Sequence, residues 1–564
     1  MIQHRSPISG IAAYADKYIA TAGYDNQVIL WDPATERGIN RVLHDHLANQ
    51  CAFSPDGSLL VSSSSDYTAR LWSVPDLRLR AVLNSQRDDV EMSAFHPTAE
   101  RIATASRDHD LRVYDFDGRL LRSCVGHTAD VISVAWSAGG DELVSSSDDG
   151  TVKRWSGETG ELLEDIDLGG VETDTIVISR DGTIYAGNDD GEIVVIRGGD
   201  RSSVKGHASG VKRLVLDAGR DLLVSLSYDR RMLLWDVSGR ELRQVQETDL
   251  PADVWARSCA FAAGSTLVLG TFGSTYRTYD YEAGKWREAD VPPTPGLNAV
   301  CAWQGAVYAV GDAGVVLRDG RELARTGSLC NFLTPLGSMV VTGGQLGKLF
   351  DAGTGRVLHQ HHSPLNCGAT FVRDGQEHLI VGAYTGEGLV FRLDPDGELR
   401  HVTDLRLHEN AVKGVAASGD LLFSVCADTG VAWHDQRTLE PVHRIADAHD
   451  RIANGCVGLS GGSFASVGRD LTLRLWDTDL RCRTVPTSHP NSIKCIAADD
   501  EGRFIATGSY HGHVKIYDRT TDAWVAQDRF TMSGISSLSY DSGRGVFLAS
   551  SYDGSSYEHS VAIR

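Results

Sequence analysis

The stretches QVILWD (Gln27–Asp32), ARLW (Ala69–Trp72), LRVYD (Leu111–Asp115) and VKRW (Val152–Trp155) read as four copies of one signature. Their aromatic residues, Trp31, Trp72, Tyr114 and Trp155, follow one another at steps of 41, 42 and 41 residues. The series runs on through Trp235, Phe350, Phe391, Trp433, Trp476 and Tyr517. A second marker keeps the same beat: His4, His44, His127, His207, His408, His449 and His489. Between markers, short bursts such as VISVAW from Val131 alternate apolar and polar residues and end in Asp-Gly or Asn-rich turns. That is strand periodicity, with no helical stretch between the turns. A fixed period of this length marks a chain of small units, each burying its apolar faces against its neighbours.

The bulk properties bound the reading. A chain of 564 residues is too long for one ordinary core. Its formal charge of −21 opposes a phosphate backbone over most of the surface, so nucleic acid is a partner only indirectly. The start, MIQHRSPISG, has no apolar leader, and no run of about 18 apolar residues follows it, so no membrane span is expected. Cys51, Cys259, Cys301, Cys456 and Cys495 sit inside apolar strand patterns, as buried free thiols do in a reducing compartment. A cytoplasmic protein is expected.

The joint spacing of Gly-His pairs (Gly126-His127, Gly206-His207) and strand aromatics resembles the WD-repeat family, and the likeness covers essentially the whole chain. The resemblance implies an all-β protein of four-stranded blades arranged as β-propellers. It also implies a hydrogen-bonded tetrad inside each blade: His127, Ser146, Asp149 and Trp155 in blade four, His207, Ser225, Asp229 and Trp235 in blade six, and His449, Ser466, Asp470 and Trp476 in blade twelve. Fourteen inner-strand segments can be counted. One ring usually holds about four to eight blades, so two tandem seven-bladed propellers of fourteen four-stranded blades are expected. Blades eight to ten are degenerate, since GAVYAVGDAGVVLRD from Gly305 and GSMVVTGGQLGKLFD from Gly337 lack the tetrad Asp and Trp.

The expected domains are residues 1–284 and 285–564, with VPPTPG (Val291–Gly296) as a turn at the boundary. Two closures are open. Residues 1–4 can form the outer strand of blade seven and residues 285–291 that of blade fourteen, or one strand can cross between rings. Either device would remove free sheet edges.

Catalytic and metal motifs are missing: the sequence has no HExxH, paired CxxC, Walker loop or GxSxG. A Ser, His and Asp trio that recurs in nearly every blade is scaffold rather than a nucleophile triad. His359, His361 and His362 read as solvated loop residues, and the run from Asp394 to Glu398 reads as a turn rather than a calcium loop. No cofactor and no catalytic residue is expected, and a propeller hydrolase or lyase is the least favoured alternative.

Binding is left, and family members bind peptides or domains at one mouth of the channel. The residue before the tetrad Asp, which the blade pattern does not bury, points into that face. These are Tyr24, Arg107, Asp148, Asp189, Tyr228 and Phe272 in the first ring, and Tyr384, Arg469, Tyr510 and Tyr552 in the second. Asp89, Asp130 and Trp255 add a further set just before the inner strands. Tyr, Trp and Arg carry much of the energy at interfaces. The acids beside aromatics in the first ring favour a partner segment bearing Arg or Lys. The expected role is a protein-interaction scaffold or target-recognition subunit of a multi-protein complex, a signalling or defence adaptor by family analogy. The alternative, a component of a nucleic-acid-associated assembly, would rest on Arg70, Arg78 and Arg80 or on Arg474, Arg481 and Arg483.

Overall fold

Each repeat of the sequence pattern becomes one antiparallel sheet. The computed structural model describes residues 2–560, and among them all regular structure is strand. Thirteen sheets have four strands in chain order; the last, built from Ile535–Asp541, Val546–Ser551 and Ser556–Ser560, has three. The chain divides into two units, Met1–Thr294 and Pro295–Arg564, each holding seven of these blades.

Blade four shows why these residues form these strands. Its inner strand, Val131–Trp136, is apolar or small at every position and is buried along almost its whole length. The outer strand, Leu162–Asp167, alternates with solvent as its sequence LLEDID does. Val131, Leu143 and Trp155 pack on Leu111 and Val113 of blade three. Val144 and Val152 on the opposite face pack on Ile176, Ile184 and Ile196 of blade five. Trp155 is wholly buried between these faces, and truncating a buried Trp to Ala costs about 3–5 kcal/mol.

Inside this double-sided core each polar side chain must find an internal partner. In blade four His127 Nδ1 lies 2.8 Å from Asp149 and its Nε2 2.8 Å from Ser145 Oγ, which also accepts the Trp155 indole N–H at 2.9 Å. The serine is therefore Ser145 and not Ser146. Successive strand residues face opposite sides, and only Ser145 shares the face of Trp155; Ser146 Oγ is buried without a hydrogen-bond partner. The same separations of 18 residues to the His and 10 to the Trp recur for Ser62 in blade two and Ser225 in blade six. Blade twelve is wired alike through His449, Ser466, Asp470 and Trp476, and blade one through His4, Thr21, Asp25 and Trp31. Burial works against ionising Asp470, yet the hydrogen bond and charge of His449 prevail and hold its carboxyl down at about 2.

The residue after each tetrad Asp, or its equivalent, is left-handed in every blade but the seventh, as at Gly150 (φ 74°) and Gly191 (φ 78°). Glycine adopts that conformation without a Cβ penalty, which explains the Asp-Gly turns of the sequence.

Both rings close by packing blade on blade. Ile11, Ile19 and Trp31 of blade one pack with Val268 and Tyr276 of blade seven, the Trp31 and Tyr276 rings meeting edge to face at 5.7 Å. In the second unit the Ser536 hydroxyl of blade fourteen donates to the Leu297 carbonyl of blade eight at 2.6 Å. The expected strand exchange does not occur. Lys285–Trp286 pairs with Arg277–Asp280 and is blade seven's own outer strand, not blade fourteen's. A short hairpin brings the segment back to its predecessor at little loop-closure cost, and the Tyr279 and Trp286 rings pack at 4.8 Å. The boundary accordingly falls after Thr294 rather than after residue 284, with Pro293 bridged to Gly273. Residues 2–4 form no strand: Ile2 joins the core between blades one and seven, and the His4 N–H donates to the Ser274 carbonyl. Met1 lies outside the described residues.

Ser145→Ala removes one oxygen that serves both His127 and Trp155, and should destabilise the first unit by about 1–3 kcal/mol in denaturant unfolding. Ser146→Ala should change it by less than about 0.5 kcal/mol. Equal losses for the two variants would contradict the wiring.

Candidate interaction site

The turns between second and third strands and the segments entering each inner strand gather at one mouth of each ring. In the first unit the predicted face residues are present there but are more deeply set than the sequence pattern implies. Tyr228, Trp255, Phe272, Arg107 and Asp89 are buried, while Tyr24, Asp130, Asp148 and Asp189 are half-buried. The reason is mutual packing. Tyr24 meets Trp255 edge-on at 5.1 Å, and Trp255 lies 5.6 Å from Phe272, forming one aromatic wall where blades one and seven join. The Lys212 ammonium sits 5.3 Å from the centre of the Tyr228 ring and the Arg257 guanidinium 5.7 Å from that of Trp255, distances at which cations are drawn to an aromatic face.

The remaining wall is ionic. Arg107 bridges Glu91 and Asp130, and Lys212 bridges Asp174 and Asp189. Glu91, Asp174, Lys212 and Arg257, none of them singled out in the sequence, line the channel with Tyr24 and leave a cavity of only about 60 Å³. The signal that marks three of them is register: Glu91, Asp174 and Lys212 each follow the first residue of the inner strand or come two residues after the segment entering it, where Ser9 and Asn49 stand in blades one and two. Acids exceed bases here. Burial pushes the Asp148 carboxyl well above its usual range, Glu172, Asp130 and Asp174 push it further, and Arg107 opposes them. Burial likewise raises Asp189 to about 6, with Asp174 adding to the rise and Lys212 opposing it. Carboxyls held in this way gain from an added cation.

The second unit differs. Its channel, about 410 Å³, is lined by Asn298, Asn331, Asn366 and Asn454, and by Lys413 and Lys494 at the same register. Each Asn reaches the inner strand of the next blade, as Asn331 Nδ2 does to the Leu365 carbonyl at 2.8 Å. Tyr384, Arg469, Tyr510 and Tyr552 are half-buried. Lys413 lies 5.0 Å from the Tyr384 ring centre, and Tyr510 stacks on Tyr552 at 6.3 Å.

Other sequence candidates are resolved by their contacts. The tetrads join Asp, His and Ser as a hydrolase triad would, but His127, His207 and His449 side chains have no solvent exposure, so no substrate reaches them. His361 is buried against the Ser363 backbone rather than solvated, since the chain turns inward there to begin the next inner strand. His359 stacks on His401 at 5.3 Å, and His362 is exposed. Asp394 to Glu398 is a turn, with Asp394 held by Arg392 and Arg400. The arginines considered for nucleic acid are largely engaged: Arg70 with Asp66, Arg474 with Asp470, and Arg483 with Asp522.

Two seven-bladed rings with this interior wiring define a tandem β-propeller. The chain carries six WD repeats: residues 1–32, 39–73, 78–115, 118–156, 199–236 and 480–518 each match the model described as WD domain, G-beta repeat. Among similar proteins, the transcriptional corepressor LEUNIG_HOMOLOG of Arabidopsis thaliana is 23% identical over 270 residues, 40% of this chain and 34% of its own. Nuclear distribution protein PAC1 of Arthroderma benhamiae is 31% identical over 162 residues, 24% of this chain and 35% of its own. Transcription initiation factor TFIID subunit 5 of Caenorhabditis elegans is 29% identical over 188 residues, 32% of this chain and 29% of its own. The chain thus spans about a third of the length of the relatives it matches.

Asp148 keeps its proton in the folded protein to higher pH than in the unfolded chain, where it ionises near the ordinary 3.8. Above that pH the unfolded state binds fewer protons, so this group's contribution lowers stability as pH rises. Asp148→Asn should therefore melt higher than wild type at about pH 8, with the difference vanishing by about pH 4. Thermal unfolding across that range tests it; a constant difference would rule out the titration.

Proposed function

We propose that this protein is a recognition subunit that holds segments of other proteins at its propeller mouths and leaves any further output to those partners. The first ring receives a segment carrying Arg or Lys. The observation that carries this reading is the mouth of the first unit, where Asp148, Glu172, Asp130 and Asp174 of blades four and five crowd one another, while Tyr24, Trp255 and Phe272 form an aromatic wall at the junction of blades one and seven. A bound segment with more than one Arg or Lys would relieve the carboxylate repulsion with one cation and meet the aromatic wall with another. Peptide cations at this mouth would be held by charge and by ring faces, while the plugged channel keeps them at the surface.

The second ring, with Lys413 and Lys494 in an open channel, takes a different segment, and the two sites on one chain would add their affinities through linkage. Cytoplasmic residence belongs to the same reading and is supported by ten free cysteines, most of them buried. Membership of a signalling or defence assembly is its furthest extension, supported by family likeness alone.

Fluorescence anisotropy with an Arg-rich and an Asp-rich peptide of equal length tests the first ring. The Arg-rich peptide should bind more tightly, and Asp148→Asn with Glu172→Gln should weaken it about tenfold, or roughly 1.4 kcal/mol. Its affinity should rise with pH through about 6, where Asp189 loses its proton beside Asp174 and Lys212. Equal binding of both peptides, or no effect of the double substitution, would refute the assignment.

A further inference from the structure

Blade eleven keeps the residues of the tetrad but not its wiring. In blades two, four and twelve the His Nδ1 lies 2.8 to 2.9 Å from its Asp, which also accepts the N–H of the residue after the His. In blade eleven His408 Nδ1 stands 3.7 Å from Asp428 Oδ1, and no hydrogen bond reaches this wholly buried nitrogen. Arg444 has taken the far oxygen of Asp428, 3.2 Å from Oδ2, and the Gly430 N–H reaches Oδ1 at 2.9 Å.

The cause is a one-residue shortening. Trp433 follows Asp428 by five residues, whereas Trp476 follows Asp470 by six. A slip of one residue turns every side chain of a strand to its other face. Trp433 accordingly pairs with Phe423 and packs toward Trp476 of blade twelve at 5.3 Å, and His434, opposite Leu422, occupies the side that the tetrad Trp has elsewhere. The Ser424 hydroxyl, freed of an indole, has the Ala432 carbonyl at 3.5 Å to donate to and can accept from the His408 Nε2–H at 2.9 Å. That tautomer leaves the Nδ1 lone pair directed at the Asp428 side of the blade.

Cys426 stands two residues before Asp428, where blades two, four and six have Ser64, Ser147 and Ser227. A ring nitrogen of His408, the Cys426 sulfur and an Asp428 oxygen all lie within 4.8 Å of one another. We propose that His408, Cys426 and Asp428 form a zinc(II) site, the metal replacing the tetrad hydrogen bond that blade eleven lacks. One nitrogen, one sulfur and one oxygen are the donor types zinc takes, at about 2.0–2.3 Å, with water as the fourth ligand. The three atoms need draw together by only about 1 Å to meet one ion. Arg444 holds Oδ2, and Oδ1, which accepts the Gly430 N–H, offers its second lone pair to the metal. The thiol proton passes to solvent as the zinc–sulfur bond forms, so loading releases one proton. The ion would tie the loop at His408 to the turn at Asp428.

The test uses the full chain, stripped with chelator and then given cobalt(II) or zinc(II) alone. Wild type should show thiolate-to-cobalt charge-transfer absorption and bind about one more zinc per chain than Cys426→Ser, and zinc should raise its melting temperature by several degrees. Cys426→Ser restores the residue of blades two, four and six, so it should fold while losing the band, the extra zinc and the thermal gain. No cobalt–thiolate band in wild type, or equal zinc content in both proteins, would overturn the proposal.

Discussion

Every blade of this protein is covered on both faces, and that single condition governs what its interior can contain. A strand buried on two sides has no solvent to satisfy a stray donor or acceptor. The tetrads answer this by joining a loop histidine, a strand hydroxyl, a turn aspartate and an indole into one closed set, as in His127, Ser145, Asp149 and Trp155. The set ties the segment entering the inner strand to the turn between the second and third strands, and those two segments are the ones that build the mouth. Interior satisfaction and surface presentation are thus one mechanism.

The mouths inherit rigidity from it but not their chemistry. In the first unit the channel register holds Glu91, Asp174 and Lys212, and the ions collapse on one another until almost no space is left. In the second the same register holds mostly asparagine, whose amides reach across to neighbouring inner strands, as from Asn366 to the Val412 carbonyl, and the channel stays open. Identical scaffolds therefore offer an acid-rich shallow face in one ring and a lysine-bearing open channel in the other.

Blade eleven shows how finely the tetrad depends on register. Losing one residue between Asp428 and Trp433 leaves the strands paired and the core filled, because Trp433 finds new partners in Phe423 and Trp476. What is lost is polar closure, and the buried Nδ1 of His408 is the trace of that loss. Packing tolerates a change of face that hydrogen bonding does not, since apolar contact is non-directional.

By itself the sequence determined the repeat, the strand content and the number of blades, because period and turn chemistry are local properties carried by neighbouring residues. Tertiary structure alone decided which of Ser145 and Ser146 joins the tetrad, since both are small and buried and only the strand face tells them apart. It also decided that Lys285–Trp286 stays with its own blade, that Tyr228, Trp255 and Phe272 pack inward rather than stand free, and that Glu91 pairs with Arg107 and Asp174 with Lys212. These outcomes depend on tertiary contacts, some within a blade, as of Ser145 with His127 18 residues away, and some between blades, as of Tyr24 with Trp255, whose meeting is set by strand face, ring closure and competition among partners rather than by any pattern along the chain.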